Sequence, residues 1–153
     1  MNDSNPKIDP EKMAERYKAM LNVSGTDVSG EKDEGSNTYD VKFDYKGMKF
    51  VAVFDYDDPS FVRIICPNFY PAQELPKDKD KLSAVIAAVM KSNSKCKGAK
   101  LFLSRNNTDV SAVIEFLEQA DSTGAGILNQ DTLDRHVAML LHAVLYARVA
   151  FDI

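Results

Sequence analysis

The sequence predicts an α+β domain: an antiparallel sheet of about five strands, a three-stranded meander plus a hairpin, packed by three helices in the order α-β-β-β-α-β-β-α. Three observations predict it. Apolar and charged residues alternate through residues 39–45 and lead into a Lys46-Gly47 turn. Segments of helical period stand before and after the strand-like stretches. The chain closes on a long segment that is apolar nearly all the way round a helix.

The elements follow in order. Residues 1–8 read as a disordered tail, and 9–153 as a single domain. Asp9 offers an N-cap and Pro10 a first helical residue. Met13, Tyr17, Met20 and Leu21 then recur at helical spacing, which predicts a helix over 10–22. Glycine, serine and charge dominate residues 24–37, which reads as a solvated linker. Tyr39, Val41, Phe43 and Tyr45 make one face of a strand. A two-residue turn at Lys46-Gly47 pairs Tyr45 with Met48, Phe43 with Phe50, Val41 with Ala52 and Tyr39 with Phe54. All eight fall on one apolar face, and a slip of one residue destroys the match.

The stretch "DYDDPS" (55–60) reads as the corner into a third strand, in which Val62, Ile64 and Cys66 face the same way. Its three carboxylates lack the ligand series and closing glutamate of a calcium loop. The three prolines of 67–76 argue against a central strand there. A helix over 78–91 carries Leu82, Val85, Ile86, Val89 and Met90. Strands at 99–105 and 110–120 make the hairpin. The last helix, 131–150 with Asp131 as its cap, has a stripe of Leu133, Val137, Leu140, Leu141 and Val144. Met139, Ala143, Leu145, Tyr146 and Val149 extend its apolar character round most of the circumference. Such a helix is buried on more than one side, which points to a second copy of the chain as one of its neighbours.

Composition narrows the function. The chain has 153 residues, 44% hydrophobic and 27% charged, with net charge −4. That balance is neither disordered nor membrane-embedded. A net acidic chain without a basic patch is repelled by phosphate backbones, so no nucleic-acid partner is expected. Two cysteines with no paired spacing, Cys66 and Cys96, and no secretory leader fit the cytoplasm. Cys96 stands among lysines, which acidify a thiol. Cys66 has no flanking histidine to activate it and reads as a buried strand thiol. His136 and His142 point about 120° apart on a helix, which does not suit a shared metal ion. The glycines of "GAGILN" (124–129) lack the third glycine and the βαβ setting of a dinucleotide site. No metal, cofactor or catalytic residue is expected.

The element order resembles the class I type III secretion chaperone-like fold and its YbjN-like relatives. The residues that carry it are "DPEKMAERYKAMLN", "YDVKFDYKGMKFVAVFDYDDPSFVRIIC", "KLSAVIAAVMKSN" with "AKLFLSR", and "DTLDRHVAMLLHAVLYARVAF". The resemblance implies a small bacterial cytoplasmic homodimer. It implies a non-enzymatic, chaperone- or regulator-like module that binds a segment of a partner protein. On that footing Met13, Tyr17, Met20 and Leu21 are the expected partner contacts, since methionine-rich faces adapt to varied ligands. Met139, His142, Tyr146 and Val149 are the expected dimer contacts. The alternative is a small-molecule sensor or enzyme with a pocket near Asp55, Asp57, Arg63 and Cys66.

Overall fold

A computed structural model of the chain describes residues 7–22, 27–70, 77–104 and 109–151. Its elements are α1 (Pro10–Asn22), β1 (Val28–Asp33), β2 (Thr38–Tyr45), β3 (Met48–Asp55), β4 (Phe61–Tyr70), α2 (Lys79–Lys95), β5 (Ala99–Ser104), β6 (Asp109–Leu117) and α3 (Gln130–Phe151). The strands form one antiparallel sheet in the order β1-β2-β3-β4-β6-β5. The fold is α+β as the sequence predicts, with a sixth strand added. Residues 1–6, and the second half of the proline-rich stretch at 71–76, lie outside the described residues.

The hairpin register is the one the apolar pattern dictates. Tyr45 pairs with Met48, Phe43 with Phe50, Val41 with Ala52 and Tyr39 with Phe54. Lys46 (φ 49°) and Gly47 (φ 78°) both take the left-handed conformation that a tight right-twisted hairpin requires. On the opposite face Lys49 Nζ lies 3.7 Å from Asp44.

Four corrections concern local structure. Residues 24–37 are not merely a linker, because 28–33 form β1, paired in register with β2 from Val28↔Phe43 to Asp33↔Thr38. β1 is an edge strand carrying Glu31, Lys32 and Asp33, charges that discourage a further strand from adding. Its turn is closed by Asp33, whose Oδ1 accepts from the amides of Gly35 (3.0 Å) and Ser36 (3.3 Å). Second, β4 runs through Pro67 to Tyr70, although a strand with neighbours on both sides was not expected to contain a proline. Pro67 sits exposed near the end of this ten-residue strand, where one missing ladder donor is tolerated. Third, Asn129 rather than Asp131 caps α3, its Oδ1 accepting from the Thr132 amide at 2.9 Å. Asp131 lies one position inside the helix, where it complements the positive end of the helix dipole. Fourth, α2 extends to Lys95, four residues beyond its sequence-based end, from an N-cap at Asp78.

The chain divides into two compact units, Met1–Arg63 with Glu115–Leu133, and Ile64–Ile114 with Asp134–Ile153. In the first, α1 packs on β1, β2 and β3. Asp9 caps it, with Oδ1 accepting from the Glu11 amide at 3.0 Å. Met13, Ala14, Tyr17 and Leu21 are buried, and the Tyr17 ring meets Phe54 edge-on at 5.0 Å and 84°. Phe43 stacks on Phe50 at 5.5 Å. In the second unit α2 packs on β5 through Val85 and Val89. The core there is Ile64, Cys66, Leu101, Val110, Ala112 and Ile114, with Val137, Leu140, Ala143, Val144 and Ala147 of α3.

A buried carboxylate organises the first unit. The Glu118 side chain is 2% exposed. Its Oε1 accepts from the Leu128 amide at 2.9 Å, and Arg16 Nη1 stands 3.8 Å away. The Glu118 amide donates to the Ser60 carbonyl at 2.7 Å. Tyr17 lies close enough to feel the negative charge without a well-formed hydrogen bond. Burial first, then Glu118, holds its phenol protonated well above the usual range. Gly126 (φ 85°) leaves room for the carboxylate, since a β-carbon there would collide with it. The loop is pinned further by Asp121, whose Oδ1 accepts from the Thr123 hydroxyl (2.7 Å) and the amides of Ala125 (3.0 Å) and Thr123 (2.8 Å). The Asp9 amide donates to the Gly124 carbonyl at 2.9 Å, tying the start of α1 to this loop.

Two predictions follow from this frame. Gly47 has nothing within 4 Å of a built β-carbon, so Gly47→Ala costs only the left-handed strain, about 1 kcal/mol. Gly126→Ala adds displacement of the buried Glu118 carboxylate and costs about 2–4 kcal/mol in urea unfolding. The Thr123 hydroxyl and loop amides lower the Asp121 pKa. A depressed folded-state pKa gives stability present above the unfolded value, about 4, and lost as pH falls through the folded value. Stability should therefore fall more gently with acid in Asp121→Asn than in the wild type, as read by denaturant titrations from neutral pH downward.

Candidate functional site

The acidic corner is structural. Asp55 Oδ1 accepts from the Asp57 amide (2.8 Å), and Asp57 Oδ1 from Asn37 Nδ2 (3.1 Å). Asp58 takes the Ser60 hydroxyl at 3.1 Å, and its carbonyl takes the Phe61 amide at 3.0 Å. All three carboxylates hold the turn together, as aspartates in such corners do. Among the described residues no three His, Cys, Asp or Glu side chains are grouped to hold a metal ion.

Both cysteines are free and buried. Burial pushes the Cys66 thiol up to about 11, against a smaller opposing effect of Arg148. Cys96 corrects the sequence reading. It is the C-cap of α2, its amide donating to Ser92, and not an acidified loop thiol. Burial raises its pKa, and the nearby Lys100 only partly offsets that.

Of the expected partner contacts, Met13, Tyr17 and Leu21 are turned onto the chain's own sheet and buried. Met20 alone of the four is partly accessible. The helix follows its apolar period and spends that face on the aromatic side of the hairpin, which is large enough to take all of it.

The expected dimer residues stand differently. Val149 is 82% exposed, His142 is exposed, and Met139 and Tyr146 are half-buried. Arg135, Ala138, His142, Leu145 and Val149, all exposed, follow one another at steps of three and four residues. That spacing is a single straight seam along α3. Leu145, 48% exposed, belongs to it. The sequence alone predicts α3 to be apolar nearly all round. The fold instead buries one broad side and leaves this narrow seam, cationic at its start and apolar at its end.

A second apolar surface was missed. The α2 residues Ile86 (36%) and Met90 (69%) are exposed one turn apart, and Phe102 of β5 is 37% exposed. The signal was present in the width of the α2 pattern, since Leu82, Ile86 and Met90 form an i, i+4 ridge beside the buried Val85 and Val89.

Described residues line cavities in several places, including one of about 350 Å³ beside the acidic corner, between Lys7, Ile8, Pro59, Ser60 and Ala120. One of about 400 Å³ is bounded by Lys95, Lys97, Arg135, Ala138, Met139 and His142. Another of about 500 Å³ lies between Asp9, Glu11, Lys12 and Glu15 of α1 and Tyr39, Thr123 and Ala125. Beside it, the Tyr56 hydroxyl donates to Glu11 at 2.8 Å, and burial with this bond raises its pKa to about 12. No helix among the described residues is long and apolar enough to cross a membrane.

No protein-family model matches the sequence, and no curated protein matches it. Solved structures share its fold. An uncharacterized protein from Methanothermobacter thermautotrophicus superposes with a TM-score of 0.64 at 15% identity, over 92% of this chain and 96% of its own. A chain of the HopA1-SchA chaperone-effector complex matches with a TM-score of 0.55 at 14% identity, over 92% of this chain and 98% of that one. The fold is therefore one that occurs in a chaperone-effector complex.

The cysteines supply a direct check. With its thiol held near 11, Cys66 should be alkylated by iodoacetamide at pH 8 roughly a hundredfold more slowly than a free peptide thiol. It should react at the free rate in denaturant. Fast modification of the native protein at Cys66 would show that the strand is open.

Proposed function

We propose that the chain is a non-enzymatic protein-binding module, chaperone- or regulator-like in the manner of YbjN-like proteins. In this reading it acts in a bacterial cytoplasm as a homodimer that holds a segment of a partner protein. The observation that carries it is the exposed apolar side of two helices, Leu145 and Val149 on α3 and Ile86 and Met90 on α2. Large apolar side chains repeated one turn apart on a helix surface are the signature of a docking face. The likeness in fold to a chain of a chaperone-effector complex supports the same reading.

The dimer contact runs along the apolar end of the α3 seam, through Tyr146 and Val149 with Leu145, while Met139 and His142, the other two expected contacts, line the cavity beside Lys95 and Lys97. The rival reading, a small-molecule sensor or enzyme at Asp55, Asp57, Arg63 and Cys66, has in its favour only a cavity beside the corner, at Pro59 and Ser60. Two of those carboxylates close a turn, and Cys66 is buried with a raised pKa. None of the four lines the cavities at Lys95–His142 or Asp9–Ala125.

The test is sedimentation equilibrium at micromolar concentration on the wild type and on a Leu145→Glu, Val149→Glu double variant. Dimers should form in the wild type and weaken at least about tenfold in the variant, because a charge is then stranded in an apolar contact. A monomeric wild type with both residues intact overturns the dimer.

A further inference from the structure

The cationic start of the α3 seam forms a groove that the dimer contact does not use. Its floor is Met139 with Ala138. Met139 is seated close on the turn after α2, its Cε only 3.2 Å from where a β-carbon of Gly98 would stand. Gly98 (φ 73°) carries none, and the methionine lies against the backbone. One wall is Lys95 and Lys97, and the other is Arg135 and His142, around a cavity of about 400 Å³. No acidic side chain lines it. Among the described residues Lys95, Lys97 and Arg135 make no ion pair. Lys95 and Lys97 also complement the negative end of the α2 dipole, but Arg135 comes from a different helix and has no such role.

Unneutralised positive charge has thus been gathered over an apolar floor in a chain whose net charge is −4. We infer that this groove binds an acidic segment of the partner protein, with carboxylates toward Lys95, Lys97 and Arg135 and one apolar side chain on Met139. The inference rests on the protein-binding reading and gives that partner its chemistry. A second copy is a poor occupant, since it brings the same cations. A small anion fills only one end. Along α3 the groove runs from Arg135 to His142 for about 10 Å, at 1.5 Å per residue, which suits about three residues of extended peptide.

The experiment is fluorescence polarisation with a labelled peptide alternating glutamate and leucine, and with its glutamine-leucine counterpart. The proteins are the full chain, a Lys97→Glu, Arg135→Glu variant, and a Lys79→Glu, Lys81→Glu control with the same change in net charge. The glutamate peptide should bind the wild type at least about tenfold tighter than the glutamine one, and more tightly at low than at physiological ionic strength. Groove reversal should remove at least about tenfold of that affinity, and the control less than about twofold. Circular dichroism confirms that the variants are folded. Equal affinity for the two peptides, equal loss in both variants, or no binding by folded wild type overturns the inference. Competition by inorganic phosphate in the groove without peptide binding also overturns it, in favour of a small anion. A groove variant that sediments as a monomer where the wild type is a dimer overturns it in favour of a self-contact. Peptide failure with an intact dimer removes the groove alone, whereas a monomer that binds the peptide removes the dimer alone.

Discussion

The two-residue turn at Lys46-Gly47 is the constraint on which the first unit rests. It fixes the pairing of β2 with β3, and side chains alternate faces along a strand. One register therefore sends Val41, Phe43, Met48, Phe50, Ala52 and Phe54 to the same side, and all of them are buried. A shift by one would have put either Lys42 and Asp44 or Lys49 under α1. The aromatic face made this way is broad enough to absorb the apolar side of α1, Met13, Tyr17 and Leu21 together. The helix that a chaperone-like resemblance offers as a binding surface is consequently part of the core in this chain, with Met20 left partly exposed.

Glu118 does for the loop what the hairpin does for the sheet. A buried carboxylate is expensive unless its oxygens are satisfied. Here the Leu128 amide bonds Oε1, the Arg16 charge stands 3.8 Å off without a hydrogen bond, and Gly126 makes the space. The result joins the end of β6, the approach to α3 and the flank of α1. Asp121 and the cap at Asp9 repeat the device on a smaller scale, each carboxylate collecting amides that a loop would otherwise leave unmet.

The second unit distributes its surface differently. α3 covers its own core with Val137, Leu140, Ala143, Val144 and Ala147, small and branched side chains that permit close approach. Outward it leaves the seam of Arg135, Ala138, His142, Leu145 and Val149, with Asp131 and Asp134 exposed beside its start, and the two ends differ in chemistry. Arg135 with Lys95 and Lys97 makes one end cationic, while Leu145 and Val149 make the other apolar. Self-association suits the apolar end and is opposed by charge at the other.

Much of the architecture was legible because local periodicity carried it. The hairpin register, the cap at Asp9, the strand at β6 and the apolar stripes of the helices depend on neighbours a few residues apart, and those are written in the chain. β1 was not legible, since Val28, Ser29, Gly30 and Glu31 have no strand pattern of their own. They become a strand because β2 presents an open edge with its backbone donors and acceptors unmet. The burial of Cys96, the passage of β4 through Pro67 and the gathering of Lys95, Lys97 and Arg135 around Met139 were equally unreadable. Periodicity says which residues share a face of one element. Which of those faces finds a neighbour, and which is left to water, depends on contacts between residues far apart in the chain, and tertiary packing alone decided it.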